Sequence, residues 1–190
     1  RKSYKSSDGN YLIMPDRFAN GNEKKESQPD LTEKVNRNLP SGRHGGDLQG
    51  VIDHLDYLKN LGVKTVWLTP VNQDNEKQTT YHGYAQTDLY KIDGRYGTNE
   101  EYSKLSADLK AKNMKLVKDY VTNHWGISHW LIQDLPSKDW IHEFKDGEGK
   151  DGFKRSNYRI SSQFDTNVSE VDKKLALDGW FDKSMPDLNQ

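Results

Sequence analysis

The residues best suited to chemistry stand in Asp119-Tyr120-Val121-Thr122-Asn123-His124, where a carboxylate, an amide and an imidazole follow one another closely. Leu116 and Val117 precede them, and Met114 to Val121 reads as a buried strand whose end delivers these groups to one place. A carboxylate inside such a strand needs a partner, because an unpaired buried charge is costly. At the C-terminal mouth of a parallel α/β fold that partner is a catalytic or substrate group. Elsewhere a strand-end Asp caps the following loop, and the segment alone fits both readings. The second group is Tyr81-His82-Gly83-Tyr84. Tyrosine rings cover the apolar faces of polyols, while His and Asp exchange hydrogen bonds with hydroxyls. Alone, this tetrapeptide reads as local aromatic packing. Joined to Asp119, Asn123 and His124 at one end of a sheet, it reads as a polyol-binding surface.

These groups need a frame. Tyr11-Leu12-Ile13-Met14 is a short apolar run stopped by Pro15, a first strand. Residues 16–41 are polar and without periodicity, a long loop of the kind that carries function. Gly45-Gly46-Asp47 opens a helix, in which Leu48, Val51, Ile52, Leu55, Leu58 and Leu61 form one face and Gly62 is the stop. Val63 to Leu68 is a second strand, ending at Thr69-Pro70. Residues 71–96 are again long, polar and aromatic. Thr98 and Glu101 have capping-box spacing, Tyr102, Leu105 and Leu109 mark the helix behind them, and Asn113 ends it. Met114 to Val121 is the third strand.

This alternation predicts a parallel sheet with helices outside it. The long connections all follow strands, which puts the variable loops at the strands' carboxyl ends, where such folds build sites. Lys118 fits poorly: with Asp119 inward, Lys118 faces the helix layer and must snorkel or pair. After His124 the pattern turns irregular, with a helical face only over Lys173 to Leu177. We therefore divide the chain into three βα units over 1–124 and an inserted subdomain over 125–190.

The net charge of −1 over 190 residues gives no electrostatic case for nucleic acid or an anionic membrane. No apolar run is long enough to span a bilayer, and no signal peptide is visible. The absence of cysteine excludes disulfides and thiolate metal sites. A hydrophobic content of 32% and a mean hydropathy of −1.05 predict a thin core and many loops. Arg1 at the start and the segment before Gln190 point to a piece of a larger protein. His124 and His129 read as two unrelated loop histidines rather than a transition-metal pair. Gly45-Gly46 lacks the Lys-Ser/Thr ending of a phosphate loop, and Asp47 would repel phosphate.

Seven segments carry a specific resemblance: 14–21 (MPDRFANG), 45–50 (GGDLQG), 67–70 (WLTP), 81–84 (YHGY), 93–97 (DGRYG), 119–124 (DYVTNH) and 185–189 (MPDLN). In this order they resemble the α-amylase family of glycoside hydrolases, nearest its neopullulanase and cyclomaltodextrinase branch. Met185-Pro186 supports that branch, while Asp187 replaces the lysine many neopullulanases carry. The resemblance implies an α/β fold, a (β/α)8 TIM barrel incomplete here: strands one to three and a subdomain after strand three. It implies retaining hydrolysis of α-glucosidic bonds in maltodextrins, cyclodextrins or pullulan. Tyr84 is then expected to stack under the sugar, His82 and His124 to hold its hydroxyls, and Asp119 to orient the catalytic end. Asn123 and Asp187 are supporting residues. Ala85 stands where the family often has a tryptophan platform.

Retaining hydrolysis needs two carboxyl groups about 5–5.5 Å apart. In this family the three catalytic carboxylates follow strands four, five and seven, so none lies in this chain, which alone is expected to be inactive and to need the remainder of the barrel. No cofactor is required. A structural calcium is the one metal the resemblance suggests, with Asn20, Asn22, the Gly45 carbonyl and Asp47 as ligands; the same residues also read as a hydrogen-bonded Asx turn. A second calcium arrangement in the family uses Asn123 and Asp187. A periplasmic or secreted location is favoured by resemblance alone. Two other readings remain open: a non-catalytic family member or glucan-binding fragment, and a transglycosylase.

Overall fold

A computed structural model describes residues 5–26, 28–144, 154–159 and 164–189. The chain divides into two compact units, Arg1–Tyr120 and Val121–Gln190. In unit 1, strand β1 (Asn10–Ile13) leads through Pro15 at a helix start into the short helix α1 (Pro15–Phe18). Helices α2 (Leu48–Asp53) and α3 (Leu55–Asn60) follow the long loop. Strand β2 (Thr65–Leu68) comes next, then a small antiparallel pair, β3 (Asn72–Gln73) with β4 (Asp88–Ile92). Helix α4 (Asn99–Ala111) and strand β5 (Lys115–Lys118) complete the unit.

The main sheet is parallel, in the order β1-β2-β5. Ile13, Val66 and Leu68 turn one face onto Leu48, Val51, Leu55, Leu58, Leu105 and Leu109 of the helices. This core holds both helical stripes against one sheet face, which is what the spacings of three and four require. The opposite face carries Leu12, Trp67 and Val117 in register across the strands. They are 55%, 39% and 39% exposed, although parallel sheets ordinarily cover both faces.

Helix α4 begins with both reciprocal bonds of the capping box between Thr98 and Glu101, and Asn113 ends it in a left-handed conformation at φ 60°. Three expectations need correction. The stripe from Leu48 to Leu61 is two helices, broken at His54, whose φ of −105° and ψ of 12° interrupt the ladder. His54 Nδ1 lies 2.7 Å from the Gly50 carbonyl oxygen inside that break. Leu61 is 56% exposed and outside the core. The third strand is shorter than 114–121 and half-exposed, because β5 is an edge of the described sheet and pairs only with β2.

Unit 2 holds two helices among the described residues, α5 (Trp130–Gln133) and α6 (Glu170–Asp178), the latter capped by the Ser169 hydroxyl. The rest is tied by isolated bridges, including His124 with Asp187 and Ile141 with Leu188. No helix among the described residues is long and apolar enough to cross a membrane.

Candidate functional site

The Tyr81–Tyr84 loop follows β3 as a single tight turn over Thr80–His82. Gly83 closes it at φ 76°, where an added Cβ would fall 2.0 Å from the Pro70 carbonyl oxygen. No other residue fits both the left-handed backbone and that contact. The turn brings the His82 and Tyr84 rings to 5.8 Å between centroids. The Tyr84 backbone N–H donates to His82 Nδ1 at 2.9 Å, so that nitrogen carries the lone pair.

The Tyr84 hydroxyl donates to Asp119 Oδ2 at 3.1 Å. Burial, then the Asp119 carboxylate, raises the phenol above its ordinary pKa, which keeps it a donor. Asp119 lies just beyond β5 and is only partly buried, so its partner is this phenol rather than a group within a closed strand. Lys118, difficult to place from sequence, is exposed with its ammonium 5.5 Å from the Tyr102 ring centroid. Partial burial lowers its pKa. Unit 1 thus brings His82, Tyr84 and Asp119 together.

Unit 2 brings together Asn123, His124 and Asp187. Asn123 Nδ2 donates to Asp187 Oδ1 at 2.7 Å, and the Asn123 carbonyl accepts from Leu188 N at 2.9 Å. The other Asp187 oxygen faces His142 Nδ1 at 2.7 Å, and His142 Nε2 lies 3.1 Å from Asn189 Oδ1. Burial raises the Asp187 carboxyl above its ordinary pKa, against the pull of His142 and Asn123. His124 stacks on Phe181 with centroids 5.8 Å apart. An open cleft of about 590 Å³ in this unit is lined by Trp125, Trp140 and Asp139 together with Leu188 and Asn189, and His124 is not part of its lining.

Asn20, Asn22 and Asp47 also meet, while the Gly45 N–H donates to Asp16 Oδ1 at 3.2 Å. Asp47 caps α2: Oδ1 accepts from Gly50 N at 2.7 Å and Gly21 N at 3.1 Å, and Oδ2 from Asn22 N at 2.9 Å. Asn20 Oδ1 accepts from Asn22 N, and Asn22 Oδ1 from Lys24 N. The Glu26–Arg37 ion pair borders the turn, with Arg37 Nη2 3.0 Å from the position of a Gly45 Cβ. Among the described residues, no cluster of His, Cys, Asp and Glu is arranged to hold a metal.

Sequence reasoning missed two residues that hold the aromatic loop, Glu33 and Arg43. Glu33 accepts from Thr79 and Thr80, and Arg43 donates to Thr80. Both lie outside the segments with helical or strand periodicity.

The family model described as the α-amylase catalytic domain matches residues 12–190. A cyclomaltodextrinase from a Bacillus species is 37% identical over 139 residues, 70% of this chain and 24% of that protein. An Anoxybacillus α-amylase structure aligns with a TM-score of 0.75 at 34% identity, covering 96% of this chain and 34% of the other. The α-amylase from Geobacillus thermoleovorans, solved with acarbose, gives 0.71 at 31% identity, covering 96% and 33%. The chain therefore spans 24% to 34% of these relatives' lengths. A match from residue 12 onward, together with a parallel three-stranded sheet backed by helices, makes this chain a member of the α-amylase catalytic-domain family, with the opening βα units of its (β/α)8 barrel.

Proposed function

We propose that the whole protein hydrolyses α-glucosidic bonds in maltodextrins, cyclodextrins or pullulan with retention of configuration, and that this chain grips the sugar. The observation that carries this is the Tyr84–Asp119 hydrogen bond, which sets an aromatic face beside a carboxylate at the carboxyl end of the sheet. Tyr84 stacks on the apolar face of a glucosyl ring. His82 accepts at Nδ1 from the loop and lies beside the Tyr84 ring, and in this reading it holds a sugar hydroxyl. Asp119 orients the catalytic end in unit 1; in unit 2 His124 is assigned a sugar hydroxyl, and Asn123 with Asp187 braces the loop that carries it.

The nucleophile and acid/base, about 5–5.5 Å apart in a retaining enzyme, come from later strands. The remainder of the barrel is thus the chain's first partner, and the exposed row Leu12, Trp67 and Val117 supports that reading. The chain alone is expected to release nothing from maltoheptaose.

The Gly-Gly-Asp turn works without metal in this reading. Its carboxylate is committed to three backbone N–H groups, and the space beside Gly45 is taken by the Glu26–Arg37 ion pair. Calcium asks for six to eight oxygens, several of them charged, and Asp47 is the one carboxylate of the expected set.

The test is hydrolysis of maltoheptaose and β-cyclodextrin by the whole protein, with the anomer of the first product read by NMR. Release of the α-anomer is expected. An inverted product, or no turnover of any α-glucan, would overturn the proposal.

A further inference from the structure

The long polar segment between α1 and α2 reaches across to the aromatic loop. Both oxygens of Glu33 are spent there: Oε1 accepts from Thr79 N at 3.0 Å, and Oε2 from Thr80 N at 2.7 Å and Thr80 Oγ1 at 2.6 Å. Thr79 is left-handed at φ 62°, a costly conformation for a β-branched residue that persists only when its surroundings impose it. Arg43, 1% exposed, approaches from the same segment. Its Nη1 donates to Thr80 O and Thr80 Oγ1, each at 3.1 Å. The fully buried Thr80 is therefore gripped by an anion and a cation together.

The grip extends along the loop. The Arg43 guanidinium lies 4.6 Å from the Tyr96 ring centroid, and the Tyr96 hydroxyl donates to Tyr81 O at 2.7 Å. Burial opposes the Arg43 charge, but Tyr96, Asp93, Asp16 and Asp74 outweigh it and hold the guanidinium above its ordinary pKa. Asp74 Oδ2 accepts from Ala85 N at 3.2 Å just past Tyr84. The backbone is thus pinned on both sides of the His82–Tyr84 pair.

From this geometry we propose that Glu33 and Arg43 are positioning residues: they fix the Thr79–Thr80 backbone so that His82 and Tyr84 present one preset sugar platform. Stability alone is a weak reason for such a cluster, since buried ion pairs often contribute no more than apolar packing of the same volume. A preset platform spares the ordering cost of forming it around the ligand. Because the platform meets the sugar alike in the ground and transition states, its loss raises KM and leaves kcat nearly unchanged. The inference rests on Tyr84 being the platform.

The experiment measures kcat and KM for maltoheptaose in the whole protein, with melting temperature recorded for every variant. Glu33→Gln turns one acceptor oxygen into a donor facing the loop N–H groups. Thr80→Val removes the gripped hydroxyl at constant shape, and Thr80→Ser restores it. Glu33→Gln and Thr80→Val should each raise KM about tenfold, the equivalent of about 1.4 kcal/mol, with kcat within about twofold. Thr80→Ser should behave as wild type. Tyr84→Ala should raise KM at least as far, and adding Glu33→Gln to it should cost nothing more, because both remove one platform. If Tyr84→Ala leaves KM unchanged, the platform reading itself falls. If Tyr84→Ala raises KM while Glu33→Gln and Thr80→Val do not, or if Glu33→Gln and Tyr84→Ala add in full, the positioning role is refuted. The valine–serine pair decides the question even if Glu33→Gln fails to fold.

Discussion

Replacing Asp47 by alanine separates a helix cap from a calcium ligand. The carboxylate is fully buried and takes three backbone N–H groups, from Gly50, Gly21 and Asn22. Losing an N-cap costs about 1 kcal/mol. The two loop N–H groups each lose an acceptor, at the low end of about 1–3 kcal/mol apiece, because Gly21 and Asn22 are near enough to water to recover part of it. The sum is about 3 kcal/mol, or roughly 6–12 °C in the melting point of a barrel-sized domain. Asp47→Asn keeps a capping oxygen and should lose about 1 kcal/mol.

The assay is thermal unfolding of the whole protein and both variants, each in millimolar calcium and in EDTA. Each of the three should melt at its own temperature, the same in calcium as in EDTA. A bound calcium at a hundred times its Kd would add about 2.7 kcal/mol to the wild type alone. A wild-type melting point that falls by several degrees in EDTA, while the two variants ignore the chelator, would refute the metal-free turn.

Gly83→Ala should cost roughly 1–2 kcal/mol for the left-handed backbone alone; the contact with the Pro70 oxygen then displaces Tyr84, so KM for maltoheptaose should rise with little change in kcat. Leu105→Ala, in the packed face of α4 and fully buried, should cost about 2–5 kcal/mol by urea unfolding. Burial pushes the Asp93 carboxyl up, but the hydrogen bond from Arg95 and the charges of Arg43 and Arg95 win and hold it below 3.8. A lowered folded pKa gives stability that is full above the unfolded value and is lost as pH falls through the folded one. Asp93→Asn should therefore flatten the acid limb of stability below about pH 4, and at neutral pH should cost about 3–5 kcal/mol by leaving Arg95 buried without its counter-charge.

The fold was most legible where local signals agreed with packing. Thr98 and Glu101 marked the start of α4, and Leu105 and Leu109 marked its inner face; both signals act within one turn of chain, so tertiary context had nothing to override. The break at His54 stayed hidden because periodicity reports which side of a helix is buried, not whether its hydrogen-bond ladder is continuous. Leu55 and Leu58 keep facing the core on either reading. The overlong third strand has a different cause. The hydrophobic run within 114–121 reads as a buried strand, whereas β5 has one paired neighbour among the described strands, and pairing cannot be read from one strand's own residues.

The site divides along the same line. Tyr81 to Tyr84 and Asp119 to His124 were legible as short linear sets of groups that do chemistry side chain to side chain. Glu33 and Arg43 were not, because their partners lie chiefly in the main chain of Thr79 and Thr80, as much as 47 residues away. Every residue but proline offers a backbone N–H, so nothing in the identity of residue 79 or 80 announces that a carboxylate is waiting for it. A long loop without periodicity looks like slack for that reason. Here the segment spanning 16–41 carries the carboxylate that holds the aromatic turn. Its length is what lets Glu33 reach the turn, with Arg43 following from the same segment, so shortening the loop should displace the platform before it disturbs the sheet.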